Sequence, residues 1–393
     1  ILTSFFFKKS SILVTSISLI LIFVWNLCIK NLSFFLNPIE SFLPVQFIIR
    51  KSLIIFTFIV FFTGVDKCYS ETLKTKDFGV ISLMYHRFEE NKYPSTNIKI
   101  EDFKKHIEII RQKKIQFIDP INLEKNLLEN KYNRKVLLTI DDAYLSFYEN
   151  AWPILKKEKI PFLLFVSTRE VGKFNYMSWE QIKEIAEKSF VHIGNHSHTH
   201  EYLIDEKPED IKKDIKKSIT IFKNKLGYNS IFFSYPFGEY SLEFKKIIKN
   251  LNFKFAFGQH SGVFDETKDF FEIPRFPINE KYGEIDRFKL ILNTIPLKFK
   301  KIYPEEKYIN NNTNPPEVEI EFYESVKNLN QLNCYSNEEN KWRKSNIEFV
   351  EDYKLKINLQ GKFTSERGRI NCSLREENGF WRWLGIQFVV AEK

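Results

Sequence analysis

Four stretches of the 393-residue chain gather side chains able to bind a cation or move a proton. Thr139-Ile140-Asp141-Asp142-Ala143 sets two adjacent carboxylates directly after an apolar run. Neighbouring side chains on extended backbone leave it in different directions, so one can bind a cation while the other handles a proton. Read alone, the pair is equally a polar turn capping the helix that begins near Ser146. Asn195-His196-Ser197-His198-Thr199-His200 is denser, because four of the seven histidines fall between His192 and His200. Neutral imidazole is the commonest ligand for divalent first-row metals. His196 and His200, four residues apart, come to one side of a helical turn or tight loop, whereas His192 and His198 suit packing and support. Ser234-Tyr235-Pro236-Phe237-Gly238 ends another apolar run, where the Phe237 amide could face a substrate oxygen; an ordinary strand-to-loop turn reads equally well. Gly258-Gln259-His260-Ser261-Gly262 offers His260 as a proton donor, or as an exposed loop imidazole. Arg275, after Ile273-Pro274, can orient a carboxylate such as Asp141 or lie on a rim.

The clusters share a place in the pattern of elements. Short apolar runs at Val80–Tyr85, Val136–Ile140, Phe162–Ser167, Val191–Gly194, Ile231–Tyr235, Phe253–Phe257 and Phe271–Ile273 read as strands. Glu101–Lys113, Phe147–Lys157, Ser178–Lys188, Pro208–Leu226, Leu242–Asn250 and Ile285–Leu292 carry apolar residues three and four apart and read as helices. Pro208 with Glu209-Asp210 opens one of them and Gly227 closes it. Strands alternating with helices over residues 71–302 imply a parallel sheet in an α/β domain, most naturally a closed barrel, with a doubly wound open sheet as the alternative. All four clusters then fall at C-terminal strand ends, where barrels carry their chemistry.

The remaining chain is of other kinds. Residues 303–316, with Asn310-Asn311-Asn312 and Pro315-Pro316, read as a linker. Residues 317–393 read as a small all-β, sandwich-like domain, with Cys334 and Cys372 expected as a disulfide. Phe380-Trp381-Arg382-Trp383 within it suits aromatic packing in the sandwich or stacking on sugar rings. Residues 1–70 read as a hydrophobic leader. Ser11–Ile29 has the length of a membrane-spanning helix. Residues 50–70, with Arg50-Lys51, the apolar run Leu53–Val65 and Cys68-Tyr69-Ser70, have the form of a secretory signal. The expected location is therefore exported: periplasmic, cell-envelope or membrane-anchored, with membrane association through these segments. A hydrophobic fraction of 43% against 28% charged excludes wholesale disorder. The net charge of +9, from 59 basic and 50 acidic residues, is dispersed and points to no nucleic-acid partner.

Leu138-Thr139-Ile140-Asp141-Asp142, the His196-Ser197-x-x-His200 pair and Tyr235-Pro236-Phe237-Gly238 occur in an order and at separations that resemble the polysaccharide deacetylase family (NodB-homology domain, carbohydrate esterase family 4). The resemblance covers roughly Val80 to Leu292. Met84-Tyr85-His86-Arg87 is similar to the opening of the branch that includes poly-N-acetylglucosamine deacetylases. The resemblance implies a distorted (β/α)7 barrel and a divalent metal, usually zinc, held by Asp142, His196 and His200. It implies Asp141 as catalytic base and the Phe237 amide as an oxyanion donor. The implied activity is that of a hydrolase acting on carbon–nitrogen bonds other than peptide bonds, removing N-acetyl groups from an acetylated extracytoplasmic or cell-wall polysaccharide of the N-acetylglucosamine type. An O-acetyl carbohydrate esterase and a non-catalytic glycan-binding protein on the same barrel are the alternatives. The chain departs from the family pattern in places. Ala143 replaces the usual Gly, which keeps the turn if its φ is negative, Ser234-Tyr235 stands where many members have Arg-Pro, and Phe237 replaces the usual Tyr. The family's late Leu-x-x-His motif, source of the general acid, has no match, and His260 is the expected substitute.

Overall fold

Val80-Ile81-Ser82-Leu83-Met84-Tyr85 has no polar face, and as strand β1 (Val80–Tyr85) it is buried at every position. A parallel strand covered on both sides requires such a run. β2 (Lys135–Ile140) and β3 (Phe162–Val166) are buried throughout in the same way. β4 (Val191–Asn195), β5 (Phe232–Ser234) and β6 (Phe255–Phe257) follow, and all six run parallel in the spatial order β1-β2-β3-β4-β5-β6. β7 (Val263–Phe264) lies antiparallel to the first half of β1, and β8 (Phe276–Pro277) lies parallel to its second half. The chain meets β6 again at Ile273, which bridges Phe257 in parallel. The segment from Ile273 to β8 thus joins the two ends of a curled sheet into a distorted barrel. The expected strand at Phe271–Ile273 is replaced by this bridge and β8, because Pro274 has no N–H to continue a ladder between them. The structure, a computed structural model, describes residues 78–129 and 132–391, so the leader read in residues 1–70 lies outside the described residues. Among the described residues no helix is long and apolar enough to cross a membrane.

Helices cover the sheet with one apolar stripe each. The helix Ile100–Gln112 buries Phe103, Ile107 and Ile110, and Pro208–Leu226 buries Ile211, Ile215 and Phe222. Pro208 opens the second helix, and Gly227, at φ 83°, closes it in the left-handed region that a residue without Cβ enters freely. Ser178 and Gln181 form a reciprocal capping box on Trp179–Ala186. The helix Leu123–Leu128 was not expected from the sequence; six residues are too few to display a period.

His106, on the buried face of Ile100–Gln112, donates from Nε2 to Gly283 O at 2.7 Å, which leaves Nδ1 to accept from the Tyr85 hydroxyl at 3.1 Å. Burial is the main cause that lowers its pKa to about 4. An imidazole kept neutral in the fold but protonated at about 6.5 when unfolded lowers stability as pH falls from 6.5 toward 4. The expected cost at pH 4.5 is on the order of 2–3 kcal/mol. Urea unfolding of wild type and His106→Gln at pH 7 and 4.5 checks this: the wild type should lose more stability than the variant by that amount, and equal losses would refute the assignment.

After the helix Ile285–Ile291 the chain builds two further sheets. One orders Thr294–Pro296, Trp381–Val390, Arg367–Arg375, Asn333–Ser336 and Arg343–Lys344, with Tyr308–Ile309 also on Trp381–Val390. The other orders Phe299–Tyr303, Val318–Phe322, Lys354–Asn358 and Asn346–Glu351. Ile320, Phe322, Leu355, Ile357, Ile370, Leu384 and Phe388 from the two sheets share one core, which is the sandwich arrangement. Cys334 and Cys372, facing residues of paired strands, are joined by a disulfide. The stretch 303–316 differs from the linker expected. Tyr308–Ile309 pairs with Val389–Val390, and Thr294–Pro296 already belongs to the first of these sheets. The described residues form one compact unit. Two-residue strands flanked by Asn and Pro have no alternation to read, and their partners lie about eighty residues away.

Candidate active site

The end of β2 and the loop after β4 bring three ligand atoms together. Asp142 Oδ1 lies 3.5 Å from His196 Nε2 and 3.2 Å from His200 Nε2, and one donor atom from each of Asp142, His196 and His200 falls within 4.8 Å of the others. The loop is built to hold the imidazoles. Asn195 Oδ1 accepts from Ser197 N, the Asp214 carboxylate accepts from the N–H groups of His198 and Thr199, and Ser197 Oγ accepts from His200 N. Ser197 and His200 have positive φ of 68° and 54°. The turn after β2 is bent likewise: Asp142 has φ 72° and Ala143 φ 52°. The negative φ that was the condition for Ala143 to keep the turn is therefore not met. The turn keeps its left-handed form with a Cβ in it, at a cost of about 1–2 kcal/mol.

A divalent cation fits this donor set. His196 Nδ1 lies 2.7 Å from Ser234 O, a group that only accepts, so Nδ1 carries the proton and Nε2 presents its lone pair to Asp142. A bare lone pair against a carboxylate oxygen repels unless something positive lies between them. Burial, aided by His200, lowers His196 to about 4, which keeps it neutral as a ligand must be. Burial also opposes the charge on Asp142, but His200 outweighs it and the carboxyl stays well below the usual range. His200 is driven down by burial and more than restored by Asp142, ending above its ordinary value.

Beside this group Asp141 is completely buried and forms a bidentate pair with Arg275, Nη1 to Oδ1 at 2.7 Å and Nη2 to Oδ2 at 2.9 Å. Arg275 is itself completely buried and spends its other donors on Gly258 O, Thr139 Oγ1 and Ser234 Oγ. Ser234 thus braces both Arg275 and, through its carbonyl, His196. Burial pushes the Asp141 carboxyl up; Arg275 first, then His196 and His86, outweigh that and hold it below the usual carboxylate range. His86 Nε2 and His196 Nε2 each stand 4.0 Å from Asp141 Oδ2.

Met84, His86, Asp142, His196, His200, Phe237 and His260 line one cleft of about 610 Å³. Phe237 has φ 57°, and its ring stacks on Tyr202 and meets the His200 ring edge-on at a centroid distance of 4.8 Å. The Phe side chain thereby buttresses the His200 imidazole, a use its type alone did not suggest. His260, expected as a proton donor, lines the same cleft. Among the described residues no hydrogen bond or ion pair links it to Asp141 or Asp142, and burial, then Lys307, lowers it to about 3. Burial first, and then the cations around it, keep it uncharged at neutral pH. His86, like His196, is an imidazole the fold brings to within 4.0 Å of Asp141. Its signal was its place one residue beyond β1, level with the Asp pair after β2.

Residues 129–256 match the family model for polysaccharide deacetylase. The chain carries a polysaccharide deacetylase domain, the domain of a family of hydrolases acting on carbon–nitrogen bonds. A poly-beta-1,6-N-acetyl-D-glucosamine N-deacetylase of Staphylococcus aureus (strain MSSA476) is 27% identical over 237 residues, 53% of this chain and 81% of the relative. YxkH of Bacillus subtilis (strain 168) is 24% identical over 199 residues, 50% of this chain and 70% of its own. The structure of IcaB from Ammonifex degensii superposes with a TM-score of 0.51 at 26% identity, covering 55% of this chain and 98% of that one.

Proposed function

We propose that the protein is a metal-dependent deacetylase that hydrolyses N-acetyl groups of an extracytoplasmic or cell-wall polysaccharide of the N-acetylglucosamine type. The observation that carries this reading is the convergence of Asp142, His196 and His200 donors within 4.8 Å beside the Asp141–Arg275 pair. The similarity to the staphylococcal N-deacetylase supports the choice of substrate.

An amide resists water because its carbonyl is a poor electrophile and its amine a poor leaving group. A divalent cation held by Asp142, His196 and His200, with zinc suited to two imidazoles and one carboxylate, supplies Lewis-acid polarisation and a more acidic water. Asp141, ionised and fixed by Arg275, keeps one unused lone-pair site on each oxygen to accept the water's proton. The Phe237 N–H is the donor for the acetyl oxygen as charge develops on it, a kind of contact whose loss costs about 10²–10³ in rate. His86, 4.0 Å from Asp141 Oδ2, passes a proton to the departing nitrogen. Acetate and a free amine on the sugar are the products.

Incubation of the purified protein with N-acetylglucosamine oligomers should release acetate and an equal amount of new primary amine. EDTA should stop the release and added zinc should restore it. Acetate without new amine from an O-acetylated glycan alone would replace this reading with an esterase. Release from no acetylated glycan by metal-loaded protein would end it.

A further inference from the structure

Part of the cleft that holds Asp142, His196 and His200 is walled by strands that follow the barrel. Along Arg367–Arg375 burial alternates strictly: Gly368, Ile370, Cys372 and Leu374 face the sandwich core. With a side-chain period of two, Arg367, Arg369 and Asn371 must face the other way, and all three line the cleft. Trp383 joins them from the neighbouring strand. Its Nε1 donates to Ser261 Oγ at 2.9 Å, and Ser261 Oγ donates to Asn371 Oδ1 at 2.8 Å. The wall sits hard against the loop after β6, since a Cβ on Gly385 would come 2.3 Å from Ser261 O.

The charge of this wall is one-sided. Arg287 from the helix Ile285–Ile291 adds a third guanidinium, and the sole carboxylate among the described lining residues is Asp142, which already faces two imidazoles. Two of the three arginines are engaged. Arg367 Nε donates to Glu239 Oε1 and its guanidinium stands over the Phe237 ring at 5.6 Å, while Arg287 Nη1 donates to Tyr282 O. Arg369 is different. It is half-buried, and among the described residues its guanidinium makes no ion pair and no side-chain hydrogen bond. Burial and the neighbouring Arg367 both pull it below its ordinary pKa. A partly desolvated guanidinium beside another one, with the nearby Glu239 bonded to Arg367 and no carboxylate bonded to itself, is unfavourable until an outside anion pairs with it. Trp342, 51% exposed on the same cleft, and Trp383 add flat apolar faces of the kind a sugar ring covers.

We infer that this wall is a subsite for an anionic substituent, a carboxylate or a phosphate, carried by the glycan near the N-acetyl group removed, with Arg369 as its main contact. The inference rests on the deacetylase reading above and names its substrate more closely. Guanidinium is matched to carboxylate and phosphate because its planar fork donates two parallel bonds to either. The same positive wall disfavours a glycan already rich in free amines, so a mixed anionic polymer suits the cleft better than a wholly neutral one.

The full chain is tested on three oligosaccharides matched in length: N-acetylglucosamine alone, the same with a uronate, and the same with a phosphate. Acetate release should show kcat/KM at least tenfold higher for one or both anionic forms, chiefly through KM. Arg369→Gln should bring the ratio to within about twofold of unity, and Arg369→Lys should retain part of it. Direct binding of the three oligosaccharides, measured by calorimetry without turnover, should show the same order. Should no oligosaccharide yield acetate, the deacetylase reading falls, and the binding order alone decides the subsite. Equal kcat/KM and equal affinity for neutral and anionic forms would overturn the inference, as would a preference unchanged in a folded Arg369→Gln.

Discussion

Replacing Asp142 by asparagine is expected to leave the fold intact and to cut both bound divalent metal and acetate release, the latter by about 10³-fold or more. The side chain keeps its shape, and the hydrogen bonds that hold the loop after β4 are made by Asn195, Ser197 and Asp214 rather than by Asp142. What is lost is the negative charge 3.5 and 3.2 Å from the two Nε2 atoms. Two neutral imidazoles and an amide leave a dication uncompensated in a buried site, and the charge of a hard anionic ligand is most of what holds it there. Elemental analysis of the purified variant beside wild type, with acetate release on an N-acetylglucosamine oligomer, checks both halves. A variant that retains stoichiometric metal would remove Asp142 from the ligand set.

Arg275→Met is expected to lower the free energy of unfolding by about 3–5 kcal/mol. Asp141 and Arg275 are both fully buried, and the guanidinium satisfies both oxygens of Asp141 together with Ser234 Oγ and Gly258 O. Methionine fills much of the volume and leaves a completely buried carboxylate without its paired cation. Asp141→Asn, which leaves the guanidinium poorly paired, should cost a comparable amount, whereas the double variant should cost clearly less than the two singles added, since each loss is the isolation of the other partner. Urea unfolding of the four proteins measures this. A single variant within about 1 kcal/mol of wild type, or strict additivity, would mean that the pair does not act as a unit.

The two expectations rest on residues of very different visibility. Asp141-Asp142 and His196/His200 stand out by type and density, and the strands that carry them stand out as unbroken apolar runs. The helices Pro208–Leu226 and Leu242–Asn250 are legible to the residue because local signals bound their periods, Pro208 and Gly227 for the first and Ser241 for the start of the second. Arg275 is legible only as a guess, because nothing local distinguishes an arginine that closes a barrel from one on a rim. The positions of His86 and His260 are hidden for the same reason: both follow strands, but β1 is the neighbour of β2 and so sets His86 beside Asp141. Ala143 shows the limit from the other side, as its residue type argues against the left-handed backbone that the turn imposes on it.

By itself, then, the order of residues determined most strands and helices of the barrel and the chemical kind of site, since periodicity and residue type are short-range properties, and it left Cys334 and Cys372 as the pair to be joined. Only the tertiary structure decided which imidazole faces Asp141, that residues 303–316 contribute a strand, and that Arg367 and Arg369 wall the same cleft as Asp142. Those facts depend on segments distant in sequence, as Asp142 is from Arg369, where packing of whole sheets, and no local preference, selects the neighbour.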